Sequence, residues 1–133
     1  MEIREYKEYQ ESEILQLYSE VGWTAYTKDM EVLRRGYEQS LLVLAAYEGE
    51  ELMGIIRTVG DGATIVFIQD ILVYPNKQRH GIGTALVKAV MEKYHDVRQI
   101  ELATDNTPKT IAFYKSLGFS ELSEIGCCGF MRC

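Results

Sequence analysis

Apolar residues recur along this chain first at every second position and then at every third or fourth, and each change of period marks an element boundary. Glu2 to Tyr6 alternates like a short strand. Ile14, Leu15, Leu17, Tyr18 and Val21 then recur at helical spacing behind Ser12, a candidate N-cap, and Gly22 closes the segment. A second helix is predicted to begin near Asp29, with Met30, Leu33 and Tyr37 on one face. The stretch "LLVLAAYEGEELMGIIRTVGDGATIVFIQDILVYP" reads as three antiparallel strands joined by turns at Glu48-Gly49-Glu50 and Asp61-Gly62. Its third strand, Thr64 to Tyr74, is apolar on both faces, the pattern of a strand in the middle of a sheet.

Beyond it, Ile82, Leu86, Val90 and Tyr94 form the inner stripe of a helix, flanked by Val87 and Met91, while Lys88, Glu92 and Lys93 take the outer side. Arg98 to Thr104 is another strand. "NTPKTIAFYKSLGF" predicts a last helix with Thr107 as N-cap, Pro108 at the first helical position and Gly118 as the stop. The tail predicts a closing pair of strands around Gly126. An antiparallel meander followed by strand, loop, helix and parallel strand gives an α/β fold with a mixed, mostly antiparallel sheet, a right-handed β-α-β crossover and about four helices. In such sheets ligands bind beyond the carboxyl ends of the parallel strands.

The length of 133 residues suits one domain, taken as residues 1–133, and the composition is that of an ordinary globular chain. The net charge of −6 opposes nucleic-acid binding, which calls for a basic patch, and suits a cationic partner. No apolar run reaches the roughly 20 residues that span a bilayer, and "MEIREYKEYQESE" is too charged for a signal peptide, so no membrane association and a cytoplasmic location are expected. Cys127, Cys128 and Cys133 lack the paired spacing of zinc sites, and His80 and His95 add no cluster. We expect no metal, and reduced, structural cysteines.

Candidate chemistry concentrates between the third meander strand and the helix that follows, in "YPNKQRHGIGTAL". A helix N-terminus leaves about four N–H groups unpartnered and carries roughly half a positive charge, so anions bind there. Gly81 and Gly83 remove side chains that would keep a bulky anion from those amides, and Lys77 and Arg79 add mobile positive charge. A pyrophosphate suits such a site. The plainer alternative is that both glycines merely make a tight turn. A Walker loop is excluded because Thr84-Ala85 follows Gly83, and the dinucleotide fingerprint fails at Leu86.

"QRHGIGTAL" (Gln78 to Leu86) and "FYKSLGF" (Phe113 to Phe119) resemble the two diagnostic segments of the Gcn5-related N-acetyltransferase (GNAT) family, each on the expected element. The "GW" after the first helix is similar to that of minimal stand-alone members, a group that includes plastid-type arylalkylamine acetyltransferases. The resemblance implies transfer of an acetyl group from acetyl-CoA to a small-molecule or peptide amine. It places the pyrophosphate on the loop of Gln78, Arg79, His80, Gly81, Ile82, Gly83 and Thr84, and the pantetheine arm beside Leu72 and Val73. A bulge there would free a backbone N–H, that of Val73, to polarise the thioester carbonyl. Tyr114 would return a proton to the departing thiolate, and Asn106 or Thr107 would hold the pantetheine amides. Asp70, a carboxylate in an apolar strand, is the candidate proton acceptor, with a structural carboxylate held by nearby donors as the alternative. Trp23, Tyr26 and Tyr37 would line an aromatic cleft for the amine, or else pack as core. A silent acyl-CoA-binding sensor is the alternative function. Pairing among many family members raises a homodimer as a candidate assembly.

Overall fold

In the computed structural model, which describes residues 1–133, the meander of β-branched and aliphatic residues forms the middle of one sheet. Its strands are β1 (Glu2–Glu5), β2 (Leu42–Glu48), β3 (Glu51–Gly60), β4 (Ile65–Val73) and β5 (Gln99–Leu102), neighbouring one another in chain order. All pairs are antiparallel except β4 with β5, which is parallel. The helices are α1 (Glu11–Val21), α2 (Thr24–Thr27), α3 (Met30–Glu38), α4 (Ile82–Lys93) and α5 (Pro108–Ser116). The chain divides into two compact units, Met1–Leu102 and Ala103–Cys133.

In the first unit each face of the sheet carries its own core. Ile14, Leu17 and Tyr18 of α1 and Leu33 and Tyr37 of α3 pack with Val43, Ala45, Leu52, Ile55 and Leu72. The alternate residues Leu44, Ile56 and Thr58 point to the other face, where α4, with its buried Ile82, Leu86, Val87 and Val90, packs on β2, β3 and β4.

One irregularity divides β4 between these faces. Thr58 pairs with Ile68, but Arg57 pairs with Asp70, so Gln69 is an extra residue, a β-bulge. Because strand side chains alternate, the insertion puts Ile68 on the α4 face and Asp70 and Leu72 on the α1–α3 face. The parallel pairing to β5 covers only Ile65 to Ile68, so β4 runs on alone from Gln69 to Val73.

Local chemistry explains most boundaries. Asp29 caps α3 through Val32 N–H at 3.2 Å. Thr107 caps α5 through Thr110 N–H at 3.3 Å, with Pro108 next, and Gly22 ends α1 at φ 88°. Ser12, the expected cap of α1, lies inside it: the helix starts at Glu11, with Glu11 and Glu13 favouring its positive end. The four-residue α2 was not expected. The closing strands around Gly126 do not form either. Glu121 and Glu124 instead build a capping box on the 3-10 turn Leu122–Ile125, Gly126 ends it at φ 80°, and 127–133 has no regular structure. The three cysteines of that tail are free and exposed, so they are not the structural residues expected. No helix is long and apolar enough to cross a membrane.

Candidate active site

The loop from β4 to α4 is held in an uncommon conformation. After a 3-10 turn at Pro75–Lys77, Gln78 Nε2 donates to the carbonyl of Val73 at 3.3 Å, tying the loop to the strand end. Arg79 has φ 69° and is the one residue other than glycine in the left-handed region. That conformation costs a residue with a Cβ roughly 1–2 kcal/mol. Gly81, the N-cap of α4, has φ 78°, and a Cβ there would meet nothing within 4 Å, so its dihedral rather than crowding calls for glycine.

Behind this cap the N-terminus of α4 is open. Its first helical bond runs from Ala85 N–H to Gly81 O at 3.0 Å, no side chain caps it, and no acidic residue lies in its first turn. The amides of Ile82, Gly83 and Thr84 therefore lack helical acceptors. Ile82 contributes only its amide, since its side chain is core. The side chains of Arg79 and His80 are exposed beside these amides. Lys77 is not the mobile charge expected: it pairs with Glu51 at 3.3 Å.

The adjacent end of β4 presents unpaired backbone. Tyr74 N–H donates to Met53 O at 3.0 Å, which makes Gly54 and Val73 a non-hydrogen-bonded pair of the β3–β4 ladder. The N–H of Val73, and by alternation that of Ile71, therefore points away from β3, on the side where β5 has already parted. Leu72, expected beside Val73 at this edge, instead turns its backbone to Ile55 and buries its side chain. Ile71 takes its place, a substitution only the register shows. Gly54 allows the close approach of β3: a Cβ there would sit 2.7 Å from Leu72 O and 3.2 Å from Val73 Cγ2.

Asp70 is 1% exposed. Its Oδ2 accepts from Arg57 Nε at 2.7 Å and from Tyr18 OH at 2.8 Å, and Tyr18 and Tyr37 share a hydrogen bond of 2.9 Å. Its Oδ1 is buried without a partner. The guanidinium also reaches Ser40 Oγ at 3.3 Å and the Gly36 carbonyl at 3.4 Å, and lies 5.3 Å from the Tyr37 ring centroid. Burial pushes both tyrosines well above the usual phenol range, so they stay neutral. For Arg57 burial works against the charge, and the neighbouring Asp70 more than offsets it, so its pKa rises.

Trp23 and Tyr26 are half-buried and stacked, centroids 6.0 Å apart. Tyr26 OH accepts from the bulge residue Gln69 Nε2 at 3.2 Å, so this aromatic pair adjoins the point where β4 leaves β5. Tyr37, in contrast, is core. In the second unit Tyr114 is buried between Phe113 and Phe119, with ring centroids 4.9 and 5.8 Å away. Burial first, and then the charge of Asp105, raises its pKa. Asn106 is exposed and precedes the cap Thr107.

An uncapped helix start beside a splayed strand suits an anionic ligand with an extended arm. The profile of the acetyltransferase (GNAT) family matches residues 6–119. The chain belongs to this family. A GNAT-family acetyltransferase from Streptococcus pneumoniae TIGR4 superposes with a TM-score of 0.89 at 36% identity, covering 99% of this chain and 96% of that one. The ribosomal-protein-S18-alanine N-acetyltransferase from Escherichia coli shares the GNAT fold, with a TM-score of 0.76 at 20% identity over 90% of this chain and 77% of its own. An uncharacterized N-acetyltransferase of Prochlorococcus marinus is 27% identical over 81% of this chain and 61% of its own length. One from Pyropia yezoensis is 25% identical over 80% and 63%. The chain thus spans less than two thirds of the length of these two GNAT relatives.

Proposed function

We propose that this chain transfers the acetyl group of acetyl-CoA to a primary amine by direct attack within a ternary complex. The observation that carries this reading is one strand–loop–helix connection bearing both an outward Val73 N–H and the uncapped start of α4. Acetyl-CoA supplies the thioester and the diphosphate handle. The amides of Ile82, Gly83 and Thr84, with the side chains of Arg79 and His80, hold the diphosphate. Gln78, bonded to Val73 O, keeps the diphosphate loop and the strand end at a set separation. Ile71 and Val73 offer the backbone edge along which the pantetheine arm lies.

Val73 N–H donates to the carbonyl oxygen as negative charge develops there, an effect worth about 3–4 kcal/mol for one donor. The C–N bond forms as the C–S bond breaks; the nitrogen loses a proton and the departing thiolate gains one. The resemblance of "FYKSLGF" to the family segment is the ground for assigning that proton to Tyr114, whose raised pKa keeps the phenol in the donating form. An alkyl ammonium near pKa ~10.4 must first be deprotonated, at about 5 kcal/mol at pH 7. We assign this step to water rather than to Asp70. A carboxylate 1% exposed and engaged by Arg57 and Tyr18 has no route for passing a proton to solvent on each turnover. Trp23 and Tyr26 border the acceptor side, where a stacked aromatic pair and the net charge of −6 favour a cationic amine.

Thiol release with acetyl-CoA and a panel of free amines and N-terminal or lysine peptides tests the proposal. Release that needs both substrates supports it, and the free-amine and peptide arms separate the acceptor classes. Acetyl-CoA binding without turnover across the panel would make the chain a silent acyl-CoA sensor. Absence of binding by calorimetry would overturn both readings.

A further inference from the structure

The bulge at Gln69 decides which amides face the open edge of β4, so something must fix it. In a regular ladder continued from Thr58–Ile68, Asp70 would lie opposite Ile56 and Leu72 opposite Gly54. The position opposite Gly54 is the one whose N–H turns outward. In that register Leu72 would present its amide to the gap and Val73 would turn its own toward β3, moving the outward donor by one residue, about 3.3 Å. Parity would change as well. Asp70 would leave Arg57 and Tyr18 for the face of Ile56 and Thr58, onto which α4 packs Leu86, Val87 and Val90. None of the buried residues of that face carries a positive charge.

We infer that the buried Arg57–Asp70 pair is a register lock: it selects the bulged ladder, and so assigns the outward amides to Ile71 and Val73. The two residues are positioning residues, acting on the site through the backbone of β4. A regular ladder would strand the Asp70 carboxyl in an apolar layer without a hydrogen-bond partner and take it from Arg57, which costs more than the one unpaired residue of a bulge. In the observed register the same carboxylate meets its guanidinium at 2.7 Å directly across the strand pair, at the step where the ladder shifts. Gln69, displaced outward, is exposed and donates to Tyr26 OH, so the extra residue has a polar destination of its own. A buried pair adds little stability beyond what apolar residues of similar volume would give, whereas fixing register is its best-attested use. This inference rests on the proposed chemistry only for its consequence in catalysis; the register itself can be read without any substrate.

The test is amide hydrogen exchange by NMR on the full chain. In the native protein Leu72 is protected and Val73 exchanges fast. In Arg57→Met/Asp70→Leu, where the penalty on the regular ladder is gone, the order is expected to invert, or both amides to show intermediate protection as the registers interconvert. Cooperative unfolding is kept. Turnover should fall by about 10²–10³-fold, the usual effect of losing one such donor, and affinity for CoA by less than tenfold, because α4 still holds the diphosphate. Asp70→Asn, still polar, is expected to retain the native order. Should the apolar variant fail to fold, Arg57→Gln/Asp70→Val, which keeps a polar partner for Ser40 and the Gly36 carbonyl, replaces it. Native exchange order in a folded apolar variant overturns the inference. If the native protein shows no acetyl transfer, the proposed function fails while the exchange order still decides the register.

Discussion

Gly54→Ala probes the strand end that the proposed chemistry depends on without replacing any residue placed in that chemistry. The added Cβ would stand 2.7 Å from Leu72 O, where ordinary contacts begin near 3.4 Å, and 3.2 Å from Val73 Cγ2. The first obstacle is backbone and the second belongs to a β-branched side chain, so neither can swing aside, and the end of β4 must recede by about 0.7 Å. Overpacking of this kind costs about 1–3 kcal/mol, a fall in Tm of roughly 3–10 °C for a domain of this size. The same displacement carries Val73 N–H away from its target, and misplacement near 1 Å can cost about 10²-fold in rate. The assay is thiol release against acetyl-CoA and amine concentration, beside thermal unfolding. Turnover is expected to fall about 10–100-fold, with a smaller change in the KM for acetyl-CoA. Gly49→Ala is the control: its φ of 61° makes it strained, nothing lies within 4 Å, and it should lose stability alone. A Gly54→Ala protein with native Tm and native turnover would refute the placement of the oxyanion donor at this close approach.

Arg79→Gly relieves a left-handed side-chain residue, so it should gain up to about 1 kcal/mol in chemical denaturation while acetyl-CoA affinity measured by calorimetry drops severalfold. Tyr114→Phe should lower turnover about 10²-fold and leave acetyl-CoA binding nearly unchanged; native turnover in the variant would remove the phenol from the mechanism. Asp61 accepts N–H from Ala63, Thr64 and Ile65 as well as the Thr64 hydroxyl, and these bonds hold its carboxyl far below the usual range. A depressed folded pKa contributes stability that is present above the unfolded value near 3.8 and is lost as pH falls through the folded one. Urea midpoints of Asp61→Asn and the parent should therefore differ at pH 6 and converge as the pH drops below about 4. Tyr18 and Tyr37 carry the opposite sign. Their raised values mean that stability is present below about pH 10 and declines above it, and the alkaline loss should shrink in Tyr37→Phe, read as circular dichroism against pH.

Wherever one local rule governed, the sequence was legible. The cap Thr107, the helix start near Asp29, the stop at Gly22, the central placement of β4 and the glycine turn at the start of α4 follow from side-chain chemistry within a few residues. Two local readings failed because another local solution was available. Ser12 yielded to an earlier start at Glu11, and the alternating tail yielded to the capping box of Glu121 and Glu124. Lys77 was misjudged for a different reason, since Glu51, its partner, is 26 residues away in the chain and close only through folding.

The sequence by itself determined the mixed sheet, the order of its strands and of the four longer helices, and the glycine turn before α4, because periodicity, caps and glycine dihedrals act over one or two turns of chain. Only the tertiary structure decided which amides of β4 stay unpaired, that Ile71 rather than Leu72 accompanies Val73 at the edge, and that Asp70 meets Arg57 and Tyr18. Those outcomes turn on one extra residue in a ladder between two strands. Register is a property of the pair, and neither strand carries it alone.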